Sequence, residues 1–264
     1  MQSGSQSDPV IQLDRVGKKF GRAIVLEDVT LSVPRGATTV VLGPSGAGKT
    51  VTFNHVVGLL HPDRGTVTVE GRNLARIDDA EMNALRQRMA VVIQGSLPFT
   101  CGLFFSLDVF ENVAFALRQR HRWSEELVRE TTMSHLRMVG LGDRADAMPD
   151  QLSAGMCKRV AIARALALEP EILIIDDFDS GIDGVRLKLL CQMLRDYKED
   201  SGATLLVSTH HMAAARMIAD HIAVIHEGTV VSAGPAAEQF ESAEPLVRQL
   251  VTGSTSGPIT LRDV

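Results

Sequence analysis

The stretch Val40–Thr50, VVLGPSGAGKT, constrains the fold more than any other part of this chain. It reads as a strand, a glycine-rich loop and then a helix. Residues Gly43–Thr50, GPSGAGKT, fit G-x-x-x-x-G-K-[ST] without a mismatch. Gly43, Ser45, Gly46 and Gly48 would shape a loop whose backbone N–H groups face phosphate oxygens. The following helix adds the positive end of its dipole to the same anion. Lys49 would reach the terminal phosphates, and Thr50 would offer its hydroxyl to magnesium.

The rest of the chain supplies the sheet that such a loop needs. Residues 38–42 (TTVVL), 90–94 (AVVIQ), 171–177 (EILIIDD) and 203–210 (ATLLVSTH) are apolar, partly β-branched runs, and helical segments separate them. That alternation marks an α/β core. Residues 11–33 read as short strands with Gly17 and Gly21 bracketing a turn, TVTVEG as a hairpin strand, and residues 221–226 and 229–234 as a last pair. Residues 78–89 form a polar amphipathic helix that Asp78 or Asp79 would cap. Residues 95–160 turn mostly helical, with periodicity over 108–119 and 124–139. They read as a helical subdomain inserted into the core. The expected division is a disordered lead over 1–10, one domain over 11–241, and a tail over 242–264, first helical and then polar.

Composition narrows the setting. At 264 residues and 45% hydrophobic, the chain can build a sizeable core. A net charge of −5 argues against a nucleic-acid partner, although local basic patches stay open. Cys101, Cys157 and Cys191 are far apart and in no C-x-x-C pattern, which suits a reducing cytosol. No apolar run is long enough to span a bilayer, so any transmembrane partner would be a separate chain. The start, MQSGSQSDP, has neither the basic nor the apolar region of a signal peptide.

A phosphate site with a metal needs a second carboxylate. The apolar run Ile172–Ile175 pushes Asp176 to the carboxyl end of a buried strand, where open α/β sheets bind ligands. There Asp176 would hold Mg²⁺, directly or through water, with Asp177 beside it facing the attacking water. Ser153, in QLSAGM before a long helix, would cap that helix or meet an anion, and Ala154 and Gly155 allow close backbone approach. Gln94, at a strand end, would sense the metal or the water, or be a surface glutamine. His210 ends another strand and can hydrogen-bond a terminal phosphate in either protonation state, with His211 a competitor. Phe20 would stack on a base or belong to the core.

In this order the chain resembles the nucleotide-binding subunits of ABC transporters over roughly residues 11–240. Phe20 matches the aromatic A-loop, Gly43–Thr50 Walker A, Gln94 the Q-loop, and Leu152–Met156 the signature. Ile172–Asp177 matches Walker B, Ser180–Asp183 the D-loop, and His210 the switch histidine. The resemblance implies a P-loop ATPase core with an antiparallel β subdomain and an inserted helical subdomain that docks on membrane permeases. It implies ATP and Mg²⁺ as ligands, with Thr50, Asp176 and Gln94 at the metal and Asp177, His210 and Gln94 at the chemistry. Two subunits would close head to tail, each ATP lying between Walker A of one and Ser153 and Gly155 of the other. The subunit would sit peripherally on the cytoplasmic face of the inner (plasma) membrane.

A narrower likeness is to the ATPases that energise Mce-type lipid uptake in actinobacteria. It is carried by SAGMCKR (Ser153–Arg159), DDFDSGID (Asp176–Asp183) and the tail EPLVRQLVTG (Glu244–Gly253) followed by Gly257-Pro258-Ile259. Those relatives read S-G-G-M-x-K-R and D-E-P-D-S-G-L-D-P. The likeness implies paired permeases, Mce substrate-binding proteins as indirect partners, and sterol or fatty-acid import. This chain departs from the pattern with Asp177 at the catalytic glutamate position, Ala154 for a signature glycine, and Phe178 and Gly184 for prolines. The shorter Asp177 predicts slow hydrolysis with ATP binding kept. The departures also leave open an ATP-gated clamp, the weak half of a heterodimer instead of a homodimer, or another solute. Residues 95–107, rich in Phe99, Phe104 and Phe105, form a greasy permease contact or tuck into the subdomain core.

Overall fold

The computed structural model describes residues 9–93, 102–120 and 123–260. Gln94, Phe99 and Cys101 lie outside these residues.

The apolar runs become strands where they are expected. β1 (Ile11–Phe20) and β2 (Ala23–Val33) precede β3 (Thr38–Leu42) and the helix α1 (Lys49–Val56). β4 (Arg64–Val69), β5 (Arg72–Asn73), α2 (Asp79–Arg86) and β6 (Met89–Val92) follow. Three helices come next: α3 (Val109–Arg120), α4 (Glu125–Met138) and α5 (Ala154–Leu166). β7 (Ile172–Ile175), α6 (Gly184–Ser201), β8 (Thr204–Ser208) and α7 (Met212–Ile218) alternate after them. The chain closes with β9 (His221–His226), β10 (Thr229–Pro235), α8 (Ala236–Phe240) and α9 (Pro245–Thr252).

Among the described residues, ten strands form one sheet in the order β5-β4-β1-β2-β10-β9-β3-β8-β7-β6. β9, β3, β8, β7 and β6 run parallel, and β1, β2, β4 and β5 pair antiparallel at the other side. The phosphate-loop strand β3 is thus central, and all five of its residues are buried. Period-two alternation divides the parallel strands between two cores. Val40, Leu42, Leu173, Ile175, Leu205 and Val207 face a core completed by α3 to α7. Val41, Ile172, Ile174 and Leu206 face the opposite core, with Phe53 and Val56 of α1 and the antiparallel strands. Each such side chain contributes roughly 1.5–3 kcal/mol by leaving water.

Three boundaries differ from the sequence reading. β8 stops at Ser208, so His210 lies two residues beyond the strand instead of ending it. Val10, assigned to the lead, is buried, and its N–H donates to Val33 O at 2.9 Å. Gly17 does not bracket a turn. β1 runs through it to Phe20, because irregular pairing between Asp14 and Gly17 absorbs the offset against β4. α2 is capped by Asp78, whose carboxylate accepts from the Glu81 N–H at 2.8 Å while Glu81 reaches back to the Asp78 N–H. The polar tail is tied down by Gln249, whose side-chain amide bonds both the N–H and the C=O of Ile259.

The segment before α3 is held by one buried residue. Asn112 accepts from the Phe104 N–H at 2.8 Å and donates to the carbonyls of Phe104, Leu107 and Asp108 at 2.9–3.0 Å. This turns Leu103 inward and leaves Phe104 and Phe105 about half exposed, with Phe104 edge-on to Phe115. Asn112→Ala would orphan these backbone groups. We expect a loss of about 2–4 kcal/mol in chemical denaturation, with faster amide exchange over residues 103–108.

Candidate functional site

Four chain segments converge on one cavity of about 360 Å³ at the carboxyl end of the parallel strands. Ser45, Gly46 and Gly48 line it from the loop after β3, Lys49 and Thr50 from the first turn of α1, Asp176 and Asp177 from the end of β7, and His210 from beyond β8. Val25 of β2 completes the wall.

The loop geometry follows from its glycines. Gly43, Gly46 and Gly48 all have positive φ. At Gly43 a Cβ would lie 2.1 Å from Ile225 O, so no other residue lets β3 leave the sheet so close to β9. Lys49 opens α1 and is buried. Its ammonium donates to Gly43 O at 2.8 Å and Pro44 O at 2.9 Å. Burial pulls its pKa below the ordinary lysine value, opposed by the carboxylates of Asp176, Asp177 and Asp179. An ammonium whose hydrogen-bond partners among the described residues are carbonyls, and which is desolvated in this way, fits a phosphate, which would restore the lost charge stabilisation.

Asp176 is buried and fully engaged. Oδ2 accepts from Thr50 Oγ1 at 2.5 Å and Oδ1 from Ser208 Oγ at 2.5 Å. Among the described residues no group of three or more His, Cys, Asp or Glu side chains could hold a metal by itself. A hydroxyl and one carboxylate fit a magnesium ion that completes its shell with phosphate oxygens and water.

Asp177 adopts φ 52°, the left-handed region, at a cost of roughly 1–2 kcal/mol. Its N–H donates to Ser208 Oγ at 2.7 Å, and its Oδ1 lies 4.0 Å from His210 Nε2. Phe178 is completely buried, and its N–H donates to Ser208 O at 3.1 Å. The aromatic ring therefore anchors the turn in the place of a proline. Gly184 opens α6, and Asp183 caps that helix by accepting from the Arg186 N–H. The loop thus keeps a defined exit without its second proline.

Ser153 and Gly155 stand elsewhere. They line a separate polar cavity of about 340 Å³ with Arg159, Gly181, Asp183 and Arg186, and no described residue lines both cavities. Ser153 caps α5, accepting from the Met156 N–H at 3.3 Å. A Cβ on Gly155 would meet Gly181 O at 2.1 Å. Ala154 sets its methyl beside the same Gly181 turn.

Phe20 is not a core residue: it is 47% exposed at the end of β1, with the Lys18 ammonium 5.8 Å from its ring centre, and it does not line the first cavity. Gln94 lies outside the described residues. His211 lines an apolar cleft between α6 and α7, away from Asp177.

Two residues at the site were missed in the sequence. Lys158 of α5 is buried and donates to Asp176 O at 3.0 Å. Its signal was a lysine within an otherwise apolar helix face. Ser208 carries no signal in the sequence beyond being a small residue inside the apolar run 203–210.

A family model described as ABC transporter matches residues 26–180. The probable ribonucleotide transport ATP-binding protein mkl of Mycobacterium tuberculosis is 36% identical over 253 residues, which is 96% of this chain and 69% of that one. The intermembrane phospholipid transport system ATP-binding protein MlaF of Escherichia coli is 33% identical over 242 residues, 92% of this chain and 88% of that one. Among solved structures, the ATP-binding cassette MJ0796 in a dimeric post-hydrolysis state with ADP and Pi superimposes with a TM-score of 0.77. It is 31% identical, and the match covers 85% of this chain and 98% of that one.

Proposed function

Because this chain belongs to the ABC transporter family as an ATP-binding subunit, we propose that it hydrolyses ATP with Mg²⁺ to energise lipid import of the Mce type through membrane permeases. The observation that carries the reading is the convergence of Lys49, Thr50, Asp176, Asp177 and His210, from distant parts of the chain, on one cavity. The lipid assignment rests on MlaF, whose name states phospholipid transport, and on the resemblance of Ser153–Arg159, Asp176–Asp183 and Glu244–Gly253 to Mce-type ATPases, departures included. Sterols or fatty acids are the proposed cargo, with Mce substrate-binding proteins as indirect partners. The proposed location is the cytoplasmic face of the inner membrane. No helix among the described residues is long and apolar enough to cross a membrane.

In this reading Lys49 neutralises the terminal phosphates and the loop N–H groups cradle them. Thr50, Asp176 and Gln94 would hold Mg²⁺, which supplies charge neutralisation on the transferring phosphoryl group. Asp177 orients the attacking water and accepts its proton, and His210 hydrogen-bonds the terminal phosphate. Phe20 stacks on the base. Ser153 and Gly155 act on the ATP of a second subunit, a homodimer being the simplest form. The separation of the two cavities within one chain supports a second subunit, since another chain can bring its own cavity against this one. The dimeric state of MJ0796 is in line with it.

We assign the ATPase domain to 11–241 with Val10 packed onto its first strand, its helical subdomain to about 95–160, and the tail to 242–264. The permease site is assigned to a cleft of about 320 Å³ between Leu59, Met89, Ala116, Arg164 and Leu168. Exposed Leu59, Phe104, Phe105 and Phe115 favour the greasy-contact reading of the phenylalanine-rich stretch.

Asp177 favours a second reading, an ATP-gated clamp or the weak half of a heterodimer, because its carboxylate is one methylene short and its backbone is strained. Mg-ATPase turnover of the purified chain, alone and with its co-purified membrane partners, separates the two. Turnover is expected to rise with permease bound, and Asp177→Glu to raise it about tenfold or more. ATP binding without turnover in both proteins and both settings would favour the clamp.

A further inference from the structure

Resting on the ATPase reading above, we propose that Ser208 is a positioning residue of the hydrolytic site. One buried hydroxyl fixes both acidic residues at the end of β7. Ser208 is the last residue of β8 and is completely buried. The parallel pairing of β7 with β8 sets Ile175 opposite Val207, so the next residues on each strand, Asp176 and Ser208, meet where the strands end. The hydroxyl donates its single proton to Asp176 Oδ1 at 2.5 Å. Its lone pair accepts the Asp177 N–H at 2.7 Å. The Ser208 carbonyl takes the next N–H, from Phe178, at 3.1 Å.

These bonds have different consequences. The first occupies one carboxylate oxygen of Asp176, so the other, Oδ2, is turned to Thr50 at 2.5 Å. A carboxylate held only by Thr50 could turn about its Cβ–Cγ bond. Ser208 therefore fixes the plane in which the free edge of Asp176 faces the proposed metal position, as the outer partners of metal ligands do. The second bond satisfies the backbone of Asp177 in its left-handed conformation, φ 52°. That conformation sets where a short carboxylate points. A carboxylate one methylene short is sensitive to aim, since misplacement by about 1 Å costs on the order of 100-fold. His210 follows two residues later on the same strand end, so one short segment orients the metal ligand and carries the phosphate partner.

The test compares Ser208→Thr with Ser208→Val, which are alike in shape and differ in the hydroxyl, with Ser208→Ala beside them. Binding of a fluorescent ATP analogue is measured in EDTA and across a magnesium titration, together with kcat and KM for ATP. The control for the functional reading is that wild type binds the analogue and Lys49→Ala binds it about 100-fold more weakly. If that control fails, the ATPase reading falls and this proposal with it. With the control met, Ser208→Val and Ser208→Ala are expected to lower kcat about 10- to 100-fold. They should raise the half-saturating magnesium concentration about tenfold, with affinity in EDTA and the melting temperature little changed. Ser208→Thr is expected to keep most of the activity. Equal kcat and equal magnesium dependence in the Thr and Val variants would overturn the proposal while leaving the ATPase reading intact. Loss of EDTA-state binding and melting temperature in parallel with kcat would also overturn it, since that is the mark of a merely structural residue. Should the bulkier pair not fold, Ser208→Ala against wild type decides by the same magnesium criterion.

Discussion

Lys49→Ala is expected to weaken ATP binding by about 100-fold or more and to remove hydrolysis, with the fold kept. The ammonium is the buried cation aimed into the cavity, and its present partners are two loop carbonyls. Two charge-assisted bonds to phosphate are worth about 1.5–3 kcal/mol each, and about 1.4 kcal/mol is tenfold in affinity. The fold should survive because the substitution also removes a desolvated charge, which offsets the two lost carbonyl bonds. Titration with a fluorescent nucleotide, beside a thermal melt, checks both halves. Unchanged affinity would sink the phosphate assignment.

The same residue gives a pH signature. Burial lowers the Lys49 pKa in the nucleotide-free protein, whereas a bound phosphate favours the charged form. ATP affinity is therefore expected to fall as pH rises through that lowered pKa, below the range of an ordinary lysine, and Lys49→Ala should lack this slope. The stability contribution has the opposite sense. Between the lowered pKa and the unfolded value the unfolded chain binds more protons, so the nucleotide-free fold gains stability as pH rises through that window.

Gly155→Val is expected to cost more than 100-fold in turnover while nucleotide affinity of the single subunit changes less than about threefold. Any Cβ at this position meets Gly181 O at 2.1 Å, so the Gly181 turn or the start of α5 must move. Both line the second cavity and neither lines the first. Lys49→Ala and Gly155→Val thus injure opposite halves of the proposed composite site. Mixed in equal amounts they should restore activity, because a mixed dimer joins an intact loop from one chain to an intact Ser153–Gly155 segment from the other. With random pairing roughly a quarter of the composite sites are whole. A mixture as inactive as its parts would count against head-to-tail pairing.

The clamp reading and the transport reading differ on the same chemistry. Asp177 keeps the charge beside Asp176, and its left-handed backbone is held rather than loose, because Ser208 takes its N–H and buried Phe178 pins the next residue. This supports slow turnover over none, and it makes the length of the Asp177 side chain the quantity to vary.

What the sequence alone determined was whatever depends on neighbours along the chain. The glycine spacing of Gly43, Gly46 and Gly48 fixes the loop, and Lys49 and Thr50 follow it by connectivity. The burial of Ile172–Ile175 fixes Asp176 and Asp177 at a strand end, and Ser153 caps α5 through a partner three residues on. The tertiary structure decided everything that depends on which strands lie side by side. Alternating hydrophobicity says that a strand is buried and which residues share a face, but carries no record of its neighbours in the sheet. The order β3-β8-β7 alone brings Ser208 to Asp176 across 32 residues and Thr50 to Asp176 across 126. The left-handed turn at Asp177, the buried Lys158 beneath Asp176 and the separation of Ser153 and Gly155 from the phosphate loop are decided the same way. Each is a contact between segments joined only through the packed core, where close packing and the need to pair every buried polar group leave few arrangements open.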